Sequence, residues 1–272
     1  ILMYSEARCQ VQTIMKAEHF FTRHPVFTRA EFAASCRALS VCKGRTCDAL
    51  LSYHTRQGNV LRVRRGLYVV VPPGMIPASA PVDSYLLAAK IAQDAILAYH
   101  TALELHGVAY SSTDRLLFLT EHKVRPFTFR SLQFRAVPVP ESLRETGPAS
   151  VGVTVVDRSG LDVRVTTLER TLVDVLNRPN LGGGWEEIWR SLEAVSFFDL
   201  TQVVEYALLL SNATTIAKVG FFLEQHRETL GVEETHLQQL RLHAPVRPHY
   251  LRRSNRTSGV LVQGWNLVVP RP

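Results

Sequence analysis

The chain has 272 residues, 46% of them hydrophobic and 20% charged, an ordinary composition for a folded globular protein and one that excludes disorder as the default. Its formal charge of +7 sits wholly in residues 1–73, which hold 11 Lys+Arg against 4 Asp+Glu, while the other 199 residues hold 20 of each. No stretch approaches the roughly 18–20 apolar residues of a membrane span. Ile1-Leu2-Met3-Tyr4 turns polar too soon, at Glu6 and Arg8, for a signal peptide, so the expected location is cytoplasmic.

Residues 1–14 read as an N-terminal extension, with Met15 an equally natural start. The spacing of Ile14, Ala17, Phe20 and Phe21 predicts a helix to Arg23, stopped by His24-Pro25. Thr28-Arg29-Ala30-Glu31 is a capping box, and Phe27 and Phe32 stand at the positions of a hydrophobic staple. That second helix runs to about Leu39. A turn through Cys42-Lys43-Gly44-Arg45 leads to Thr46, the expected cap of a third helix over Cys47–Gln57.

Cys47, Leu50, Leu51 and His54 recur at i, i+3, i+4, i+7 and belong to a core face. Ala49, Ser52, Tyr53 and Arg56 fall on the opposite one. In the following run Leu61 and Val63 alternate with Arg62 and Arg64, and Gly66 after Arg65 suits a tight hairpin tip. Three helices and a basic hairpin over residues 15–71 describe a winged helix-turn-helix. Such a module puts a helix in the major groove of double-stranded DNA and its hairpin on phosphates. The expected DNA contacts are Arg45, Thr46, Ser52, Tyr53, Arg56, Arg62, Arg64 and Arg65. A winged helix can also dock a protein, but arginines at the ribbon tip favour DNA.

Four prolines within residues 72–81 mark a semi-rigid linker. The second domain, 82–272, is expected to open with a helix capped at Asp83-Ser84 and a second over Ile96–Leu105. Strands follow at Arg115–Thr120, Phe127–Val139, Val151–Val156 and Leu161–Val165, the last two joined by a turn at Asp157–Gly160. Thr166 and Glu169 form a second capping box, before a helix in which Arg170 and Asp174 stand one turn apart. Helices are predicted at Trp185–Val195, Leu200–Leu210 and Thr214–Leu230, then strands at Leu251, Val260–Val262 and Trp265–Val269. The class is α+β, without regular βαβ alternation. Residues 241–272 contain six arginines and no carboxylate, and Arg247, Arg252, Arg253 and Arg256 are candidates for a second basic patch.

Catalytic and metal patterns are weak. Cys9, Cys36, Cys42 and Cys47 form no C-x-x-C pair and read as reduced thiols; a zinc site from Cys36, Cys42, Cys47 and His54 matches no common spacing. Glu121-His122-Lys123 after a strand resembles half of a nuclease site that Asp114 or Asp83 would complete around Mg²⁺. A polar turn explains the same residues. His100 and His106 read as satisfied polar groups rather than ligands. No cofactor and no enzymatic activity are expected.

Four stretches carry a family resemblance. They are Arg65-Gly66-Leu67-Tyr68, Leu97–Gly107 (LAYHTALELHG), Thr166–Leu172 (TTLERTL) with Asp174, and Gly264–Pro270 (GWNLVVP). In that order they resemble the AbiEi family of type IV toxin–antitoxin antitoxins, also a family of transcriptional regulators. The resemblance implies a repressor of its own operon that binds inverted repeats through its N-terminal domain. It also implies a C-terminal antitoxin domain that counters a nucleotidyltransferase toxin without a stable complex between the two.

Overall fold

The chain is a mixed α+β protein, and the computed structural model describes residues 17–38, 44–146, 151–252 and 259–271. Its first elements are helix α1 (17–23), strand β1 (Val26–Thr28), helices α2 (Arg29–Ala38) and α3 (Gly44–Arg56), and the hairpin β2 (Val60–Arg64) and β3 (Leu67–Val70). The strands form an antiparallel sheet in the order β1-β3-β2. At the start of α2 the capping box is made. Thr28 N donates to Glu31 Oε2 at 2.7 Å, and Glu31 N donates to Thr28 Oγ1 at 3.2 Å. Phe27 and Phe32 lie with ring centroids 5.8 Å apart, as a staple requires.

These two rings belong to a core with Phe20, Phe21, Cys36, Cys47, Leu51, Val60 and Tyr68. Each buried Phe contributes about 1.5–3 kcal/mol relative to exposure, so the aromatic cluster dominates the stability of this small unit. Helix α3 starts at Gly44, before Thr46, because the helical backbone continues through the expected cap position. Thr46 is therefore a first-turn residue and not the cap.

Two compact units are present. One runs to Ala95 and takes in Asp157–Val163; the other comprises Ile96–Val156 and residues from Arg164 onward. The first unit does not end at the 72–81 segment, where Ala80 is fully buried. Asp83 caps helix α4 (Ser84–Ala89), accepting from Tyr85 N and Leu86 N at 3.0 Å each. Lys90, just after α4, forms an ion pair with Glu31 of α2. Burial raises the pKa of the Glu31 carboxyl, but the hydrogen bonds from Lys90 and Thr28 outweigh it and hold the group below the usual range.

The second unit carries most of a six-stranded mixed sheet. Its strands are β4 (Ile96–Leu97), β5 (Arg115–Thr120), β6 (Phe127–Phe129), β7 (Leu132–Pro138), β8 (Val153–Arg158) and β9 (Leu161–Thr166), in the order β6-β7-β5-β4-β9-β8. Helices α5 (His100–Leu105), α6 (Glu141–Thr146), α7 (Leu168–Asn177), α8 (Trp185–Glu193), α9 (Leu200–Leu209), α10 (Ala213–Gln225) and α11 (Glu234–Arg241) accompany it. A small sheet of β10 (His249–Tyr250), β11 (Gly259–Val262) and β12 (Leu267–Pro270) follows, in the order β10-β12-β11.

Several expectations are corrected here. The helix expected over Ile96–Leu105 begins only at His100. Ile96 and Leu97 instead pair antiparallel with β5, Leu97 pairs parallel with Val165, and Tyr99 at φ 57° interrupts the chain before α5. The single strand expected over Phe127–Val139 is a hairpin, turned at Arg130 with φ 55°. Thr166 ends β9, and Thr167 caps α7 by accepting from Arg170 N at 3.3 Å. The helix from residue 213 stops at Gln225, and α11 was not anticipated.

Trp265 closes the core of the second unit. It is fully buried, its Nε1 donates to Glu224 Oε2 at 2.8 Å, and the Arg241 guanidinium lies 5.1 Å from its ring centroid. Gly220 on α10 lets the indole approach: a Cβ there would sit 2.2 Å from ring atoms of Trp265. Helix propensity alone would make Gly220→Ala stabilising by about 1 kcal/mol. We expect the reverse, a loss of about 1–3 kcal/mol from overpacking, measured by chemical denaturation. Unchanged or higher stability would refute this packing.

Candidate nucleic-acid interface

The residues expected to touch DNA sit on α3 and the β2–β3 hairpin. Cys47, Leu51 and His54 are buried, so the opposite face of α3 is turned outward with Ala49, Ser52, Tyr53 and Arg56 exposed. His54 fixes that rotation. Its ring packs edge-on to Phe21 with centroids 4.9 Å apart, and its Nδ1 lies 3.3 Å from Asn59 Nδ2. Burial pushes the His54 pKa down, which favours the neutral ring in this apolar setting. Tyr53 stays 45% exposed beside it, enough for its ring to meet a ligand. Arg45 and Thr46 lie in the first turn of α3, and their side chains fall outside the described residues.

Only Gln57, Gly58 and Asn59 separate α3 from β2, so the helix end and the hairpin base are held together. Asn59 N donates to His54 O at 3.0 Å, Val71 N donates to Asn59 O at 2.9 Å, and Gly58 takes φ 77°. The hairpin tip is Arg65-Gly66, with Gly66 at φ 83°. The expected alternation breaks before the tip. Arg62 pairs with Tyr68 and Arg64 with Leu67, leaving Val63 as a bulge. Bulges re-aim side chains, and here Arg62 and Arg65 are exposed while Arg64 is half-buried.

The hairpin and α3 are tied to α2 at one place. Arg29 N donates to Gly66 O at 2.9 Å, and the Arg29 guanidinium grips Asp48 through two hydrogen bonds of 2.7 Å. This exposed bidentate pair lowers the Asp48 pKa. It also neutralises the one carboxylate on α3, so the outward surface presents mainly cationic and hydroxyl groups.

The other candidates are placed as follows. Arg247 and Arg252 are exposed in the second unit, and Arg253 and Arg256 lie outside the described residues. Cys36 and Cys47 are buried among the phenylalanines, and Cys9 and Cys42 lie outside the described residues. Asp114 and Glu121 stand at opposite ends of the six-residue strand β5, about 20 Å apart by strand rise, too far to share one ion. Asp83 is committed to its capping bonds and to Arg158 Nε at 3.0 Å. Among the described residues no group of three His, Cys, Asp or Glu could hold a metal.

The second and third resembling stretches supply several polar contacts in the second unit. His100 Nε2 lies 3.1 Å from Glu187 Oε1, and His106 Nε2 donates to Thr166 O at 2.7 Å. The Arg170–Asp174 pair, one turn apart on α7 as expected, is almost completely buried. Arg170 Nε donates to Asp174 Oδ2 at 3.3 Å, its Nη1 donates to Val151 O at 2.6 Å, and Tyr206 donates to Asp174 Oδ1 at 2.9 Å. Burial drives the Asp174 pKa upward against the pull of Arg170, and burial also raises those of Tyr99 and Tyr206. Residues at i, i+4 meet on any helix face, and α7 is covered on this one.

No family model matches the chain, and no curated protein matches it. The fold is similar to the crystal structure of the RV2827C protein from Mycobacterium tuberculosis. That likeness has a TM-score of 0.60 at 17% identity and covers 95% of this chain and 91% of that chain. It is a likeness of fold. Among the described residues no helix is long and apolar enough to cross a membrane.

Removing one half of the buried pair should be costly. Arg170→Met leaves the Asp174 carboxylate without its cation, and we expect a loss of about 3–5 kcal/mol in urea denaturation. Adding Asp174→Leu should recover most of that loss. A single variant within about 1 kcal/mol of the parent would show that the pair contributes little.

Proposed function

We propose that the N-terminal unit is a winged helix-turn-helix that binds double-stranded DNA, with α3 as the recognition helix and β2–β3 as the wing. The observation that carries this reading is the outward face of α3 (Ala49, Ser52, Tyr53, Arg56), joined by three residues to a hairpin that carries Arg62 and Arg64 on β2 and Arg65 at its tip. The +7 excess of residues 1–73 supports it, because a polyanion is the partner that such an excess attracts over distance. On this reading Ser52, Tyr53 and Arg56 meet base edges, and the hairpin arginines meet phosphate.

We further propose that the protein is a transcriptional repressor of its own operon and the antitoxin of a type IV toxin–antitoxin pair. The support is the resemblance of its four stretches to AbiEi antitoxins. The fourth, around Trp265, and the stretch around Arg170 and Asp174 are core-building in this chain. Their part in antitoxin action is then to hold the fold, and the groups that oppose a nucleotidyltransferase toxin lie elsewhere on the second unit.

Two measurements test the DNA reading. Arg64→Ala with Arg65→Ala should weaken binding to all duplexes alike and reduce the slope of log K against log salt by about 1 per lost phosphate contact. An unchanged slope would remove the wing from the interface. Arg56→Ala should cost about 1–3 kcal/mol at the cognate operator and little on random DNA. Equal losses on both would make Arg56 a phosphate contact only.

A further inference from the structure

One residue of α2 touches both parts of the proposed DNA-binding face. Arg29 opens α2, and its backbone N–H donates to Gly66 O at the hairpin tip at 2.9 Å. Its side chain reaches α3, where Nε and Nη2 donate to Asp48 Oδ1 and Oδ2 at 2.7 Å each. The wing tip and the N-terminal half of α3 are thus held within the span of a single arginine.

Stability does not account for this pair. The Arg29 and Asp48 side chains are 56% and 49% exposed, and ion pairs so open to water contribute little to folding. The place of Asp48 along α3 is more telling. Asp48, Ser52 and Arg56 follow one another at intervals of four, so they form one ridge of the helix, with the carboxylate at its N-terminal end. A carboxylate there repels a phosphate backbone unless a cation covers it, and Asp48 is the one acid of α3. The bonds to Asp48 use two of the five N–H donors of the guanidinium and fix the plane of all five, so the other three point in a set direction.

We propose that Arg29 is a phosphate contact of the DNA interface, that Asp48 is the positioning residue that aims it, and that the pair sets the register of α3 in the major groove. The proposal rests on the DNA reading of this unit and adds to it two residues that determine specificity. Phosphate contacts carry no sequence information themselves, but they fix where a recognition helix lies, and Ser52, Tyr53 and Arg56 discriminate bases only from the right place. Lysine cannot take the part of Arg29. It keeps the charge and loses the planar fork by which Asp48 orients it.

The test uses the full chain, a duplex that the parent chain enriches from a random-sequence library, and a scrambled duplex of the same composition. Fluorescence anisotropy compares the parent with Asp48→Asn and Arg29→Lys, each variant first checked for its fold by circular dichroism. Taking one negative charge off a DNA-binding surface should, by charge alone, tighten binding to every duplex. The proposal predicts instead that both variants lose about tenfold on the enriched duplex, while their affinity for the scrambled one stays within about twofold of the parent or rises. Three results overturn the proposal and leave the DNA reading standing: Asp48→Asn as tight as the parent or tighter on the enriched duplex, Arg29→Lys at parental affinity there, or losses equal on both duplexes. A parent chain that enriches no sequence overturns the DNA reading, and the role of the pair falls with it.

Discussion

The N-terminal unit depends on a cluster of rings. Phe20, Phe21, Phe27 and Phe32 pack mostly edge-to-face or offset at centroid distances of 5.2–6.0 Å, with Tyr68 stacked on Phe27 and His54 edge-on to Phe21. The six rings come from five elements, so the cluster fixes α1, β1, α2, α3 and β3 against one another. Directional aromatic packing of this kind is worth about 0.5–1.5 kcal/mol per pair beyond burial. Its consequence for function is rotational. Once His54, Leu51 and Cys47 face the rings, Ser52, Tyr53 and Arg56 have no choice but to face out.

The second unit solves a different problem. Here Arg170 and Asp174 are taken out of water, a step that is expensive unless hydrogen bonds replace the lost solvent. Tyr206 and the Val151 carbonyl supply them, and they join α7 to α9 and to the segment before β8. Trp265 performs a parallel service at the end of the chain, threading its indole over Gly220 to meet Glu224 and Arg241. The resembling stretches thus include the buried side chains Arg170, Asp174 and Trp265.

How much of this could be read from the residues follows from range. The Thr28–Glu31 box, the Phe27–Phe32 staple, the inward face of α3 and the Gly66 tip are all set by residues within seven positions of one another, and all are legible. The burial of Arg170 and Asp174 was not, because their spacing is the same on a wet face as on a dry one. Ile96-Leu97 reads as helix along the sequence because apolar neighbours suit either state, and only pairing with Phe118, Leu119 and Val165 makes it strand. The bulge at Val63 was hidden by an apparently clean alternation.

The central claim is that α3 and the hairpin together form a DNA-binding face. Backbone-amide NMR of the full chain, titrated with duplex operator DNA, tests it residue by residue. The account predicts perturbations concentrated at Ala49–Arg56 and Arg62–Gly66, reduced by added salt. Perturbations absent from both segments, with signals moving only in the second unit, would contradict it.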